Sequence, residues 1–307
     1  MKIKLLLTLI LTIGLIFIFP IESQCLAESV AVIKSGEIKP YQDALTGFKE
    51  VCKAKTTEYN IADEIGNETK TAKKIKDKNP DLILAIGTKA AILAKQEISN
   101  IPIVFLMVSR PEKYGLTGKN ITGVSLNIPA KVQFKTLKSI IPQLKTIGVI
   151  YNPTISGKAI EIATTAARDL GMELLAVKIN SEKEVPTALR TLKGNIDAMW
   201  MVIDETVVNS QSTPHIILFT IRNKIPLMGL SVRFAQDGAL LALQSDYKNM
   251  GRQSGKIANL ILESKSIDVM PIASPEKSEL VLNLKTAKLI GIDIPADIIK
   301  KASRIIK

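Results

Sequence analysis

The chain is poor in the residues on which catalysis and metal binding usually draw. Among its 307 residues there is one histidine, His215, and there are two cysteines, Cys25 and Cys52. So few soft ligands argue against a zinc site and a cysteine-rich disulfide scaffold, and most histidine-dependent chemistry goes with them. Aromatic residues make up 4%, with a single tryptophan, too few for nucleobase stacking platforms or an aromatic-rich carbohydrate groove. Arginine accounts for only 7 of the 41 basic residues. The lysines are spread over many segments, and the Lys70–Lys78 cluster has the spacing of a solvated helix face. A nucleic-acid partner is therefore not expected, because such proteins gather arginine and aromatics on one element. The formal charge of +12 is read as solubility or attraction to an anionic envelope surface. What is present, 46% hydrophobic and 23% charged residues, is ordinary globular composition.

The first 27 residues have the three-part layout of a secretory signal. Lys2 and Lys4 form a positive start, residues 5–19 are an apolar run, and Pro20 ends it before the small residues Cys25 and Ala27. The alternative is an uncleaved anchor, but the run is shorter than the ~20 residues a spanning helix needs. A lipid anchor on Cys25 is the less favoured outcome, since Glu22 and Gln24 stand where a lipoprotein signal has a leucine-like and a small residue. Cleavage after Ala27 leaves Cys52 as the one thiol, placed with Ala44, Leu45 and Phe48 on the apolar side of a helix.

The rest of the chain alternates strand-like and helix-like segments. Strands are expected at 29–36, 56–61, 81–87, 101–108 and 121–127, with helices at 40–53, 68–78 and 88–97 between them. A second block repeats the grammar with strands at 146–152, 172–179, 197–204, 225–231, 239–246 and 279–284. Its helices are expected at 129–141, 156–170, 183–192, 214–223, 247–265 and 295–306. Continuous β-branched runs such as DLILAIG (81–87) indicate strands buried on both faces, hence parallel sheets flanked by helices. The expected fold is α/β, with two doubly wound, Rossmann-like lobes joined by hinge crossovers around a central cleft. Lobe 1 is expected to hold 28–127 and 246–272, and lobe 2 to hold 128–245 and 273–307.

Enzymatic motifs fail one by one. Ser156-Gly157-Lys158-Ala159 echoes a phosphate-binding loop but lacks the upstream glycine and the Ser/Thr that would hold magnesium. No G-x-G-x-x-G opens a helix, no G-x-S-x-G elbow exists, and His215 stands alone beside Pro214. What recurs is a polar residue just past a strand's end: Ser35, Thr88, Ser109-Arg110, Ser125, Asn127, Asn152, Asp204, Ser231 and Asp246. Each could simply cap the following helix. Their convergence on one cleft, at the carboxyl ends of strands where α/β sheets bind ligands, favours recognition. Arg110 and Asp204 are the sharper pair. An arginine can hold a carboxylate bidentately, and with Asp204 and Asp246 the set would suit a zwitterion.

Five long blocks carry a family resemblance: residues 101–126 (IPIVFLMVSRPEKYGLTGKNITGVSL), 147–153, 197–208 (DAMWMVIDETVV), 238–262 and 280–295. In this order they resemble the ABC transporter substrate-binding family whose better-known members bind tryptophan or tyrosine in the type I periplasmic-binding-protein fold. The family's Thr-Asp-Pro-like step after the fourth strand is here Ser109-Arg110-Pro111, a departure at the aspartate. The resemblance implies that Thr88, Ser109, Ser125, Asn152, Asp204 and Asp246 line the ligand cleft, and the residue reading adds Arg110 to the expected ligand-binding set. It also implies a membrane permease and an ATPase as partners. With no catalytic motif found, no enzymatic activity and no cofactor are expected, and the receptor is expected to be a monomer. The expected function is the exported solute receptor of an ABC importer, taking a small, amino-acid-like solute. A ligand-sensing module for a membrane signalling protein is the alternative.

Overall fold

In the computed structural model, which describes residues 28–64, 66–264 and 270–307, the apolar runs form two separate sheets. The expected signal segment, Cys25 included, lies outside the described residues. The first sheet contains β1 (Ser29–Lys34), β2 (Lys55–Asn60), β3 (Leu82–Ile86), β4 (Ile103–Val108) and β5 (Ile121–Ser125), all parallel in the order β2-β1-β3-β4-β5. Helices α1 (Lys39–Val51), α2 (Glu68–Lys78) and α3 (Thr88–Glu97) connect them. The two-residue period of a strand sorts β3 between two cores. Leu82, Leu84 and Ile86 pack with Phe48, while Ile83 and Ala85 pack with Ile75 and Phe105. Lys55–Asn60 carries charged and polar residues and is largely exposed at the sheet's edge, which blunts that edge against further pairing. Helix α2 stops where Asn79 turns left-handed (φ 42°) before Pro80, as the dipeptide predicts.

The second sheet is built from the rest of the chain. In order come α4 (Ala130–Ile140), β6 (Thr146–Tyr151), α5 (Pro153–Asp169), β7 (Glu173–Lys178), α6 (Val185–Leu192), β8 (Ala198–Trp200), α7 (Ser212–Arg222), β9 (Leu227–Gly229), α8 (Val232–Asp237), β10 (Leu241–Ser245), α9 (Tyr247–Ser264), β11 (Ser278–Asn283), α10 (Leu284–Ile290), α11 (Ala296–Lys301) and β12 (Arg304–Ile306). Strand order is β12-β11-β10-β9-β8-β6-β7. The architecture is α/β with two parallel-dominated sheets; one pair, β10 with β11, is antiparallel.

Several segments differ from expectation, among them the short helices α8 and α10, which the spacing does not predict. The strand at 197–204 shortens to Ala198–Trp200, because the chain beyond it leaves the sheet to build a polar turn around Asp204. The terminal helix ends at Lys301, and Ile305 and Ile306 instead pair with Leu282 and Asn283 as an edge strand. Both isoleucines are β-branched, and a strand satisfies them better than a frayed last helical turn.

The chain passes between the sheets three times: after β5, after β10, and before β11. Helix α9, which follows the second passage, lies against α1 of the first sheet with backbones in contact. A Cβ at Gly47 would collide with the Lys248 carbonyl, and one at Gly251 with the Ala44 carbonyl. Further along, Ala273 bridges to Val124 and exchanges hydrogen bonds with Gly123 and Ser125. The crossing strands are tied together as well, with the Ser245 hydroxyl donating to the Leu126 carbonyl (3.2 Å) and the Asp246 N–H to the Lys277 carbonyl (3.2 Å). Among the described residues, no helix is long and apolar enough to cross a membrane.

Candidate functional site

The carboxyl ends of β4, β5, β6, β8 and β9 converge on one cavity of about 540 Å³, walled by residues attached to both sheets. Its apolar wall is formed by Ile128, Ile155, Ile162, Trp200, Val202, Ile203, Leu230 and Ile272. Polar groups on the lining include Arg110, Ser125, Asn127, Gln133, Ser156, Lys158 and Ser274. The first turns of α4 and α5 also line it, through Ala130 and through Ile155 and Ser156. A helix start presents N–H groups that lack intrahelical partners, and the helix dipole favours negative charge there. At α5, however, Pro153 has no N–H, and the Thr154, Ile155 and Ser156 N–H groups are all taken by Asn152.

Trp200 is the best-fixed part of the wall. Its ring meets Phe134 edge-on at 5.1 Å and 81°. Its Nε1–H donates to Gln133 Oε1 (2.8 Å), and Gln133 Nε2 in turn donates to the Ile128 carbonyl (2.8 Å). An indole held by packing and by its one donor presents a rigid apolar face at low entropic cost.

Arg110 reaches the cavity through an irregular backbone. The β4–β5 register shifts between Leu106 and Val108, and Met107 (φ 59°) and Arg110 (φ 49°) both sit in the left-handed region. Such residues are uncommon without glycine, and a bulge of this kind re-aims the side chains beyond it. Arg110 Nη2 donates to both oxygens of Glu205, at 3.2 and 3.0 Å. Lys113 Nζ adds a third bond to Glu205 Oε1 at 2.8 Å. Together the hydrogen bond from Lys113, the backbone N–H of Glu205 itself and the Arg110 guanidinium hold the Glu205 carboxyl down at about 2.

The sequence-predicted residues divide sharply. Arg110 and Ser125 line the cavity; Thr88, Ser109, Asn152, Asp204 and Asp246 are not on its wall. Asp204 does not face Arg110, and this corrects the expected pairing: the acid that meets Arg110 is its neighbour Glu205. The Asp204 carboxylate is 1% exposed and already occupied. Oδ2 accepts from the Asn152 N–H (2.8 Å) and the Ser156 hydroxyl (2.7 Å), and Oδ1 accepts from the Thr206 N–H (3.0 Å). Asn152 caps α5 by accepting from the Thr154 N–H (3.0 Å) and donates to the Thr206 hydroxyl (3.0 Å). Asp246 accepts from the Asn249 N–H (2.8 Å) in the first turn of α9. Thr88 is the first residue of α3. Ser109 donates to Asn127 Oδ1 (3.0 Å), and the Asn127 N–H donates to the Ser125 hydroxyl (2.9 Å); these two contacts brace the first passage between the sheets.

Trp200, Ile155, Leu230 and Ile272 were missed because apolar residues look like core in a sequence, and Gln133 because a polar residue inside a helix looks like its solvated face. Trp200 offered one usable signal, as the chain's single tryptophan four residues before Asp204.

Comparison with known proteins decides the family. The family model described as ABC transporter substrate binding protein matches residues 27–306. The chain belongs to this family. It is a family of substrate-binding receptors rather than enzymes; its members are extracytoplasmic, bind small molecules and work with ABC transporters. This substrate-binding protein is 29% identical over 276 residues to a tyrosine-binding protein of Clostridioides difficile, covering 87% of this chain and 79% of the relative. Its fold is similar to that of a ligand-free, open substrate binding protein with adhesive properties from Clostridium difficile, with a TM-score of 0.73 at 24% identity over 91% of this chain and 99% of the other. An ABC domain from Streptococcus pneumonia in complex with L-Trp gives a TM-score of 0.59 at 22% identity, with the same coverage. The type I periplasmic-binding-protein fold expected from the sequence is thereby shown.

Proposed function

We propose that this substrate-binding protein is the exported receptor of an ABC importer and captures an amino-acid-like solute between two closing lobes. The lobes are residues 28–127 with 246–272, and residues 128–245 with 273–307, the last change of side falling near Ala273. The observation that carries the proposal is the cavity of about 540 Å³ walled from both sheets at the carboxyl ends of their strands. That volume is in the usual range for small-ligand sites. The apolar wall around Trp200 would take the solute's side chain. Arg110 and the first turn of α4 would take its carboxylate, because both favour negative charge. With Asp204 committed to its own turn, the acceptors left for an ammonium group are Glu112 and the Ser125 and Ser274 oxygens on the lining. The tyrosine-binding relative supports an amino acid as the solute class. A membrane permease and its ATPase complete the machine, and the receptor works as a monomer.

Calorimetric titration with L-tyrosine, L-tryptophan, L-phenylalanine and, as a sugar control, D-ribose tests this. The expected result is one-to-one binding of an amino acid, weakened about ten- to hundredfold by Arg110→Ala, the loss of one charged hydrogen-bonding partner. Binding of none of the amino acids, or of ribose alone, would overturn the solute class.

A further inference from the structure

Away from the crossing segments, the hydrogen bonds that join the two sheets' units among the described residues converge on a single side chain, Glu205. It follows β8 of the second sheet, while Arg110 and Lys113 follow β4 of the first. Both cations reach it, Arg110 Nη2 at 3.2 and 3.0 Å and Lys113 Nζ at 2.8 Å. The three side chains are not buried: Glu205 is 53% exposed, Lys113 48% and Arg110 20%. Neither Glu205 nor Lys113 is on the cavity lining, and Arg110 is. The trio therefore sits at the rim of the cleft, with Arg110 reaching inward from it. Arg110 uses only Nη2 on Glu205, and among the described residues no acceptor meets its Nε or Nη1. One guanidinium can thus hold Glu205 and a solute carboxylate at the same time, since its donors are arranged as a planar fork.

We propose that Glu205 is a cross-cleft latch, a residue outside the binding wall that biases the two units toward closure before any solute arrives and slows release afterwards. This rests on the closing-lobe account given above, but the latch acts in the ligand-free protein and can be tested there. Its geometry favours that role over mere surface decoration. The contacts are separate from the bonds that tie the crossing strands, so breaking them leaves those ties in place. The carboxylate is shared by two cations, and such networks outperform isolated surface pairs. The depressed Glu205 carboxyl agrees with a charge that is held and not merely solvated. The contribution is still that of an exposed network, about three- to tenfold in the closed-to-open ratio.

Small-angle X-ray scattering of the ligand-free mature protein, at about 50 mM and about 1 M NaCl, reads this directly. Salt shortens the screening length from more than 10 Å to about 3 Å across that range. Wild type should be compact at low salt and expand at high salt, whereas Glu205→Gln and Lys113→Gln should be expanded at both. Asp169→Asn is the control: it breaks the Lys131–Asp169 pair (2.9 Å), which has similar exposure and lies between α4 and α5 on the same side of the cleft. It should leave the profile of wild type unchanged. Profiles that coincide for wild type, Glu205→Gln and Lys113→Gln at low salt would overturn the latch, as would an equal expansion in Asp169→Asn. Because no ligand is present, these outcomes do not depend on whether the solute is an amino acid.

Discussion

Replacing Asp204 with alanine separates a structural acid from a ligand-binding one. The carboxylate is 1% exposed and accepts three hydrogen bonds, from the Asn152 N–H, the Ser156 hydroxyl and the Thr206 N–H. Removing it strands the Asn152 N–H in a buried turn, while the Ser156 hydroxyl keeps the Ile203 carbonyl (3.4 Å) as an acceptor and the part-buried Thr206 N–H can recover water. The stranded donor costs about 1–3 kcal/mol, and the loss of the three bonds to a charged acceptor brings the total to roughly 3–5 kcal/mol. For a chain of this size that corresponds to a fall in melting temperature of roughly 6–20 °C. Asp204→Asn should fall between wild type and alanine, since one amide oxygen still accepts but the NH2 group faces donors. The assay is a thermal melt of the ligand-free protein followed by circular dichroism, paired with solute titration at a temperature where both variants are folded. A melting temperature within about 2 °C of wild type, combined with lost affinity, would refute the reasoning and return Asp204 to the ligand.

Gly251→Ala should lower the urea midpoint by an amount corresponding to about 1–3 kcal/mol, because the new methyl group meets the Ala44 carbonyl and forces α1 and α9 apart; an unchanged midpoint would mean that the helices do not pack as described. Trp200 is the chain's single tryptophan, so intrinsic fluorescence reports the cavity alone: bound solute should shift the emission, Trp200→Ala should weaken binding at least about tenfold, and Trp200→Phe should keep most of it. The latch should be indifferent to pH between 7 and 5. The Glu205 carboxyl is lowered from 4.5 to about 2, so its contribution is complete above about 4.5 and is lost as pH falls from there towards about 2. Scattering of the ligand-free protein across that range checks the sign, and loss of compactness already at pH 6 would contradict it.

Much of the fold is readable because strand and helix periods are strong signals over long segments. Helices α2 and α3 lie where periodicity and punctuation put them, Glu68–Lys78 and Thr88–Glu97. The failures are local. Ile305 and Ile306 fit a helical stripe by spacing, yet pairing with β11 gives both a better environment. The site was less legible for a different reason. A polar residue after a strand can cap a helix, brace a turn or meet a ligand, and its spacing is the same in all three cases. Asn152 and Asp246 cap, Asp204 organises a turn, and Arg110 reaches the cavity only because the chain bulges at Met107. That bulge has no signature in the residues around it. Glu205 was passed over for its neighbour because register at a strand end decides which of two adjacent acids turns outward, and the early end of β8 at Trp200 shifts that register.

Native mass spectrometry of the protein, purified without denaturation and then offered equimolar aromatic amino acids, tests the central claim most directly. The account predicts a one-to-one complex with a small carboxylate-bearing solute that is retained by wild type and lost from both Arg110→Ala and Trp200→Ala. A protein that carries no such solute and accepts none, or one that holds it equally well without Arg110 and Trp200, would contradict it.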